Sequence, residues 1–336
     1  MPFFGNHRCT HHAVMISNKD RYREFCETGP LDIPVFMQYW WMETVCEGKQ
    51  WDVAIACEGD KITGVMPFLY GRKFGMNYVL QPQLTQFSGP YYCYPEGLTH
   101  FQRLEFEKRT ARKLLHQIDA LKPSYVNIRF SPKVTNWLPF YWAGYKQTTR
   151  YTYRLEDISD TTRLFDGFER HERQRRIRRY EHVLSVRYDM QPSEFAEFHQ
   201  RYWESKGQRD ILKKDFIERV CRTAIDRGNG VIVSVYDEAG RLLVAGFAVY
   251  DSNCAHSLMA AFDVNLHQSG HSEILVWSLL KYLSGKTKAY DFEGSMDEGI
   301  EYYNRSFGTC QTPFFEITKS NSKLFDILLK LKQKTL

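Results

Sequence analysis

The chain has 336 residues and 43% hydrophobic content, which is enough for a large core and favours two domains. Its formal charge of +5 is compatible with an anionic ligand but does not indicate a DNA-binding protein. The eight cysteines form no CxxC pair, and neither a secretion signal nor an apolar run of membrane-spanning length is present, so we expect a metal-free, reduced, cytoplasmic protein.

The first recognisable element in chain order is a hairpin at residues 51–70. Its sequence, WDVAIACEGDKITGVMPFLY, is typical of two apolar strands around a turn at residues 58–61. A helix (FEKRTARKLLHQIDAL), a strand (YVNIRF), a loop and a final strand beyond Gly144 follow it. This order predicts an α/β unit with a mixed sheet.

The second half of the chain repeats this plan. A hairpin at residues 231–250 is followed by the helix SEILVWSLLKYL, the strand AYDFEG and a final strand beyond Gly308. We therefore predict two α/β domains of similar topology, residues 1–150 and 151–336. The second domain would include a basic linking helix at 168–183 and a terminal amphipathic helix at 322–334.

The basic segment ERHERQRRIRRYEH at residues 169–182 is the first candidate site. On a helix, Arg175 and Arg178 share one face with His171 and His182, and guanidinium groups suit phosphate or carboxylate oxygens. We predict that these two arginines face a cleft between the domains and bind an anion. The alternative is an ordinary solvated helix with intrahelical acidic partners.

The loop NLHQSGHS at residues 265–272 leads into the second-half helix. Ser269, Gly270, His271 and Ser272 would lie at its N-terminus, where free N–H groups can bind a diphosphate, with Ser272 as the N-cap. The alternative is a capped helix start without a ligand.

Asp291 and Glu293 follow the strand AYDFEG, and their spacing places both on one face. A carboxylate there is suited to act as a base toward an amine. The alternative is structural: Asp291 caps the next turn and Glu293 pairs with Arg305.

Further candidates lie in two polar segments. Tyr303 is a candidate general acid, and the other candidates are suited to substrate binding. They are Asn304 and Arg305 in IEYYNRSFG, and Lys206 and Gln208 in YWESKGQR. The alternative is aromatic packing. HExxH, GxSxG and Walker motifs are absent, which argues against zinc proteases, serine hydrolases and P-loop NTPases.

Taken in order, several segments resemble the Fem-type aminoacyl or peptidyl transferases and their CelD-like acetyltransferase relatives. The resemblance covers residues 35–320 and includes WDVAIACEGDKITGVMPF, QPQLTQFSGPYY, RQRRIRR, YWESKGQR and YDFEGSMDEGIEYYNRSFG. It implies tandem domains of the GNAT (N-acetyltransferase) fold that transfer an acyl or aminoacyl group to an amine. It also implies substrate binding by Arg175 and Arg178, and a cleft lined by Asp291 and Glu293.

The chain departs from this family at Asn304, where many relatives carry Lys in a motif like FKxxFG. The helical-hairpin insertion of some tRNA-dependent members is also absent, which disfavours tRNA as the donor. The resemblance therefore implies an acyl-CoA donor, with no metal, and an amine acceptor on a small molecule or a cell-envelope precursor.

We predict direct transfer without a covalent enzyme intermediate. Glu293 or Asp291 would act as the base, Tyr303 as the acid, and Gln81 and Gln86 would hold the acceptor. The alternatives are a tRNA-dependent Fem-type transferase acting on peptidoglycan precursors, or a non-catalytic binding protein. The predicted location is the cytoplasm, with peripheral contact at the inner membrane face.

Overall fold

A computed structural model describes residues 17–322 except residues 31, 74, 209, 210, 267 and 295. The predicted terminal helix at 322–334 lies almost entirely outside the described residues. The first half contains the following elements: α1 (Asn18–Thr28), a 3-10 turn (Val35–Met37), α2 (Tyr39–Val45), β1 (Trp51–Glu58), β2 (Lys61–Lys73), β3 (Met76–Leu80), β4 (Tyr91–Tyr92), α3 (His100–Ala120), β5 (Tyr125–Arg129), α4 (Leu138–Trp142) and β6 (Lys146–Leu155).

The second half continues from α5 to β12. Its elements are α5 (Thr161–Gly167), a π-helical turn (Arg170–Gln174), α6 (Arg175–Tyr180), β7 (Ser185–Arg187), α7 (Pro192–Ser205), α8 (Lys214–Asp226), β8 (Gly230–Tyr236), β9 (Leu242–Tyr250), β10 (Cys254–Phe262), α9 (His271–Leu283), β11 (Ala289–Asp291), α10 (Glu298–Arg305) and β12 (Cys310–Ser320). The described helices include none that is long and apolar enough to cross a membrane.

The strands form one mixed sheet in the order β1-β2-β3-β5-β12-β6-β11-β10-β9-β8-β7. Each half begins with an antiparallel hairpin, β1–β2 or β8–β9, and continues with an antiparallel third strand, β3 or β10. A parallel pair follows in each half, β3–β5 or β10–β11. The predicted mixed α/β sheet is therefore present.

The halves exchange their last strands. β12, from the end of the second half, lies antiparallel between β5 and β6. β6, from the end of the first half, pairs in turn with β11. The predicted boundary at residue 150 falls inside β6, and a division into two domains there stays a prediction.

The core is also shared between the halves. One cluster of buried side chains joins Phe36, Trp41 and Val53 of the first half to Phe195 and Phe247 of the second. Burying a side chain of this size stabilises the fold by about 1.5–3 kcal/mol. The first half therefore contributes walls to any cleft that opens beside β9 and β10.

Candidate functional site

β10 and β11 separate soon after they begin to pair. They pair in parallel from Cys254–Ala289 to His256–Asp291, and β11 ends there while β10 continues to Phe262. β10 also carries a register shift between Ser257 and Met259. The sheet is thus open beside β10, and clefts lie on both of its faces.

The first opening, which we call the α9 cleft, has a volume of about 460 Å³. Its walls come from β10, from α9 and from the segment after β11. The lining residues used below are Lys206, Ser257, Ser272, Phe292, Tyr303 and Asn304. Four residues predicted from the sequence, Lys206, Ser272, Tyr303 and Asn304, are thus brought together.

The second opening, the inter-half cleft, has a volume of about 440 Å³. It lies between the segment after β3 and the second half, and Gln81, Gln86, Arg129, Leu258 and Glu293 line it. Because Ser257 lines the α9 cleft and its neighbour Leu258 lines this one, the two openings lie on either side of β10. The glutamines and Glu293, all predicted from the sequence, share one cleft.

Glu293 is held in a left-handed backbone conformation (φ 63°), which is strained for a residue other than glycine. Its N–H donates to Asp291 Oδ1 at 2.9 Å, and Asn304 Nδ2 donates to its carbonyl oxygen at 3.3 Å. Its carboxylate lies 3.0 Å from His256 Nδ1. Burial raises the pKa of Glu293 to about 7, and contact with His256 opposes this rise in part.

Asp291 does not face either cleft. It is buried and accepts hydrogen bonds from the Thr152 hydroxyl and, at 3.1 Å, from Arg154 Nη1. The expectation that both carboxylates approach one substrate therefore does not hold, since the tight turn after Asp291 rotates Glu293 away from it. Arg305 pairs with Glu301 at 2.9 Å and not with Glu293.

The basic segment begins with the π-helical turn and continues as α6. Arg175 and Arg178 are exposed, and they line neither the α9 cleft nor the inter-half cleft. Gln208 is likewise exposed and lines neither cleft. The inward arginines are Arg173 and Arg176, because Arg173 precedes the buried Ile177 by one helical turn. The face selected from the sequence is thus the solvent face, and an anion-binding role for it stays untested.

Arg173 and Arg176 converge on Glu273 in the first turn of α9. Arg173 is buried and bonds Glu273 directly, and Arg176 Nη1 lies 2.9 Å from the same carboxylate oxygen. Burial tends to raise the pKa of Glu273, but the two arginines outweigh it and hold this pKa below its ordinary value. Arg173 also lies 4.5 Å over the ring of Tyr303.

The N-cap of α9 is Gly270 and not Ser272 as predicted. Its φ of 112° is a backbone conformation that suits glycine. Its N–H donates to Glu273 Oε2 at 2.9 Å, and the Ser272 hydroxyl donates to the same oxygen at 3.2 Å. The N–H of His271 donates to the Gln268 carbonyl at 3.2 Å. These donors at the helix start are already used within the protein.

Cys254, His256 and Asp291 place ligand-type atoms within 4.8 Å of one another. The Arg154 guanidinium lies 3.1 Å from Asp291 and already supplies the positive charge beside this carboxylate. We therefore assign no metal to this cluster. Nothing in the sequence indicates a role for His256 beyond its alternation with Cys254 along an apolar strand.

Residues 168–304 match the family described as "Acetyltransferase (GNAT) domain". No curated protein sequence matches the chain. A solved structure of FemX, 12% identical, is similar over 90% of this chain and 96% of that one, with a TM-score of 0.66. The C-terminal domain of a putative lysylphosphatidylglycerol synthetase from Agrobacterium fabrum, 10% identical, is similar over 88% and 95%, with a TM-score of 0.56.

A "Tandem GNAT protein from the clavulanic acid biosynthesis pathway", 12% identical, is similar over 90% of this chain and 94% of that one, with a TM-score of 0.51. The chain has the tandem GNAT fold. The resemblance to Fem-type and acetyltransferase-like proteins is thus confirmed at the level of the fold. An N-acyltransferase is the class of enzyme that the GNAT domain and this fold support.

Acyl-CoA is the donor that the GNAT fold implies, and α9 is the helix whose N-terminus would receive its diphosphate. The Gly270 and His271 amides are committed to Glu273 and Gln268. Two of the four amides predicted for the cofactor site, Ser269 to Ser272, are therefore not available to a diphosphate in this arrangement, and a cofactor role for this segment stays a prediction.

Proposed function

We propose that this tandem GNAT protein transfers an activated acyl group to an amine, with Glu293 as the base. The position of the α9 cleft and the inter-half cleft on either side of β10, at Ser257 and Leu258 just beyond the end of β11, supports this proposal most directly. A donor in one cleft and an acceptor in the other would bring carbonyl and amine together beside β10. Such proximity alone lowers the barrier to reaction substantially.

In this mechanism the acceptor amine occupies the inter-half cleft, where Gln81 and Gln86 bind the molecule that carries it. Glu293 takes a proton from the amine nitrogen as that nitrogen attacks the donor carbonyl. His256, fixed to Glu293 by its Nδ1, holds the carboxylate toward the cleft. We expect the acceptor to be a small molecule or a cell-envelope precursor with a primary amine.

Tyr303 is the proposed acid on the donor side. It lines the α9 cleft, and burial raises the pKa of its hydroxyl, so the proton is retained at neutral pH. As the bond between the carbonyl carbon and the leaving atom breaks, this hydroxyl supplies the proton that the leaving group needs. Asn304, which stands where relatives carry Lys, has the separate role of fixing the Glu293 backbone.

A second candidate is aminoacyl transfer from tRNA, and one observation favours it. Glu273 occupies the helix start at which a CoA diphosphate would bind, so a donor that does not use this helix start is compatible with the site. In a single assay, purified protein would be offered acetyl-CoA or aminoacyl-tRNA together with a panel of amines. Products would be identified by mass spectrometry.

The proposed acyltransferase activity is supported if an acylated amine forms from either donor and if the Glu293→Gln variant does not form it. The donor that turns over decides between the two candidates. Retention of a small molecule by the purified protein, with no product from any donor, would instead indicate a binding protein on this fold.

A further inference from the structure

A third cavity is lined by His256, a residue that lines neither the α9 cleft nor the inter-half cleft. We call it the rear cavity; its volume is about 410 Å³, and its walls include Lys133, Arg154, Cys254, His256 and Lys288. It lies at the N-terminal end of β10, whereas the α9 and inter-half clefts lie further along this strand. Of the groups that line it, the mechanism proposed above uses only His256, as the partner of Glu293.

Cys254 and His256 are two positions apart on β10, so both side chains project toward the same face of the sheet. Cys254 Sγ lies within 4.8 Å of a ring nitrogen of His256. Because His256 Nδ1 is bound to Glu293 at 3.0 Å, Nε2 is the nitrogen left for the thiol, whose own hydrogen bond in this structure is donated to the Ala255 carbonyl at 3.4 Å. Phe36 and Phe87, with ring centroids 4.5 Å and 6.1 Å from that of His256, fix the plane of the ring.

The three residues thus stand in the order nucleophile, base and orienting carboxylate that covalent acyl-transfer sites use. Burial alone lowers the pKa of His256, but Cys254 and Glu293 outweigh it, and the resulting pKa lies well above the ordinary value. The ring therefore readily holds a proton released by the thiol. The Arg154 guanidinium also lines the cavity, where it is paired with Asp291 and Glu156.

The carboxylates in the wall of the rear cavity already have donors. Asp251 accepts backbone N–H groups of Val35, Asn253 and Cys254 at 2.7–3.0 Å, and Glu156 pairs with Arg154 at 2.9 Å. Asp32 accepts the Tyr91 hydroxyl at 2.7 Å. Lys133 and Lys288, in contrast, have no ion-pair partner within the described part of the chain. These two lysines are the cations of the wall that an anionic molecule would pair with.

We propose that Cys254, His256 and Glu293 form a second reactive site, at which the Cys254 thiol is acylated by a small anionic acyl compound such as an acyl phosphate. The sulfur attacks the carbonyl carbon, the bond from that carbon to the phosphate oxygen breaks, and a thioester forms. The thiol proton passes to His256 and then to the departing phosphate. No oxidant or reductant is needed, and the net products are the acyl-cysteine and phosphate.

This site is distinct from the amine-acylating site, although Glu293 and His256 serve both. Its test does not depend on turnover of an amine, so its failure and that of the proposed function can be told apart. Cys310, which is exposed, is an internal reference for an unassisted thiol in the same molecule.

Native protein would be treated at neutral pH with acetyl phosphate, and separately with iodoacetate or iodoacetamide. The modified cysteines would be quantified by peptide mass spectrometry. We expect Cys254 to gain one acetyl group that hydroxylamine removes, and to react with iodoacetate faster than Cys310 does. The preference for iodoacetate over iodoacetamide should also be larger at Cys254, because only iodoacetate carries a charge for the lysines.

Two variants separate the contribution of His256 from that of the lysines. His256→Gln should slow the reaction at Cys254 about a hundredfold, which is the lower end of base assistance. Lys288→Gln should reduce the reaction with iodoacetate but not with iodoacetamide. Lys286→Gln, at an exposed lysine that does not line the rear cavity, is the matched control and should change neither.

The proposal is overturned if Cys254 in the native protein reacts no faster than Cys310, or only after unfolding. This comparison uses the protein without substitutions, so it stands even if the His256→Gln variant does not fold. Zinc bound in equimolar amount, with Cys254 reactive only after chelation, would also overturn it and identify the cluster with Asp291 as a metal site.

Discussion

Glu293 depends on its neighbours for both its position and its protonation state. Arg154 and Thr152 anchor Asp291, which accepts the Glu293 N–H, and Asn304 holds the Glu293 carbonyl. A non-glycine residue in the left-handed region is strained by roughly 1–3 kcal/mol, so these bonds are needed to keep it there. The same arrangement places the carboxylate against His256, with burial sufficient to change its pKa.

Amide substitutions should separate the two carboxylates. We expect Glu293→Gln to keep the fold and lower kcat about a hundredfold or more, as loss of a general base does. Asp291→Asn should mainly lower Tm, because it weakens the bond to Arg154 and the anchor of the turn. Steady-state kinetics and thermal unfolding of both variants test this. A stable Asp291→Asn protein with the same loss of kcat would make Asp291 the base instead.

The pH dependence of acylation should follow the Glu293 carboxylate. Its pKa is raised to about 7, and a base acts only when it is deprotonated. The rate should therefore rise with pH through about 7 and level off above it. A profile of kcat/KM against pH measures this, with stability recorded over the same range. A rate that is already constant from pH 5 upward would exclude a base with this pKa.

For individual residues, the sequence was informative where the residue type and its position in a strand indicated the same role. The spacing of Asp291 and Glu293 located the pair, but only the turn geometry separates an anchor from a cleft residue. His256 was missed because a single histidine in an apolar strand looks like a core residue. Its partner, Glu293, lies in the turn after another strand, so no local pattern links the two.

α9 is the helix whose start is most tightly constrained by its surroundings. Glu273 caps Gly270 and receives both Arg173 and Arg176, and the Tyr180 ring packs so close that a Cβ on Gly270 would lie 2.4 Å from it. The basic segment therefore fixes the helix that forms one wall of the α9 cleft. Arg173 joins this wall to Tyr303.

Removing the charge of Glu273 should destabilise the protein strongly. Arg173 and Glu273 are both buried, and breaking such a pair costs about 3–5 kcal/mol because the remaining charge is left without a partner. We expect Glu273→Gln to show this loss in urea unfolding. Arg176→Gln is the control: Arg176 is partly exposed and Arg173 still neutralises Glu273, so a loss of about 1 kcal/mol is expected. Equal losses in both variants would contradict the assignment.

The basic segment at residues 169–182 also shows what helical periodicity in the sequence can and cannot decide. Arg175 and Arg178 share a face, as their spacing predicts, but Ile177 determines which face is buried. Arg173 lies one turn before Ile177 and so belongs to the inward face, a signal that the sequence does contain. The π-helical turn at its start, in contrast, follows from tertiary contacts that no local pattern predicts.

The whole molecule is held together by the exchange of β6 and β12. The repeated hairpins and the parallel pairs were predictable from apolar runs and turn residues. The exchange was not, because a strand's pattern of apolar residues records its burial and not the identity of its neighbours. The open sheet beside β10, and hence both clefts, depends on the strands that this exchange holds in place.

Loss of β12 should therefore affect the first half as well as the second. A chain that ends at residue 309 leaves the facing edges of β5 and β6 unpaired. We expect it to lose cooperative thermal unfolding and to regain it when a peptide of residues 310–322 is added. An unchanged Tm without the peptide would contradict this role.

A point substitution tests the same role in the intact chain. Ile317→Ala, at a buried position of β12, should cost about 2–5 kcal/mol, whereas Gln311→Ala, at an exposed one, removes one hydrogen bond to the Tyr153 hydroxyl and should cost about 1 kcal/mol. Urea unfolding of both variants measures the difference. Equal, small losses would show that β12 contributes little to the core.

The exchange also determines when the protein can fold during its synthesis. The ribosome releases β5 and β6 first, but the strand that must lie between them leaves it only after nearly all of the second half has been made. At about 5–20 residues per second, this delay is on the order of ten seconds. Throughout it, two strand edges of the nascent chain are open to pairing with other chains. Chaperone binding to nascent chains of increasing length should therefore persist until residue 320 has emerged.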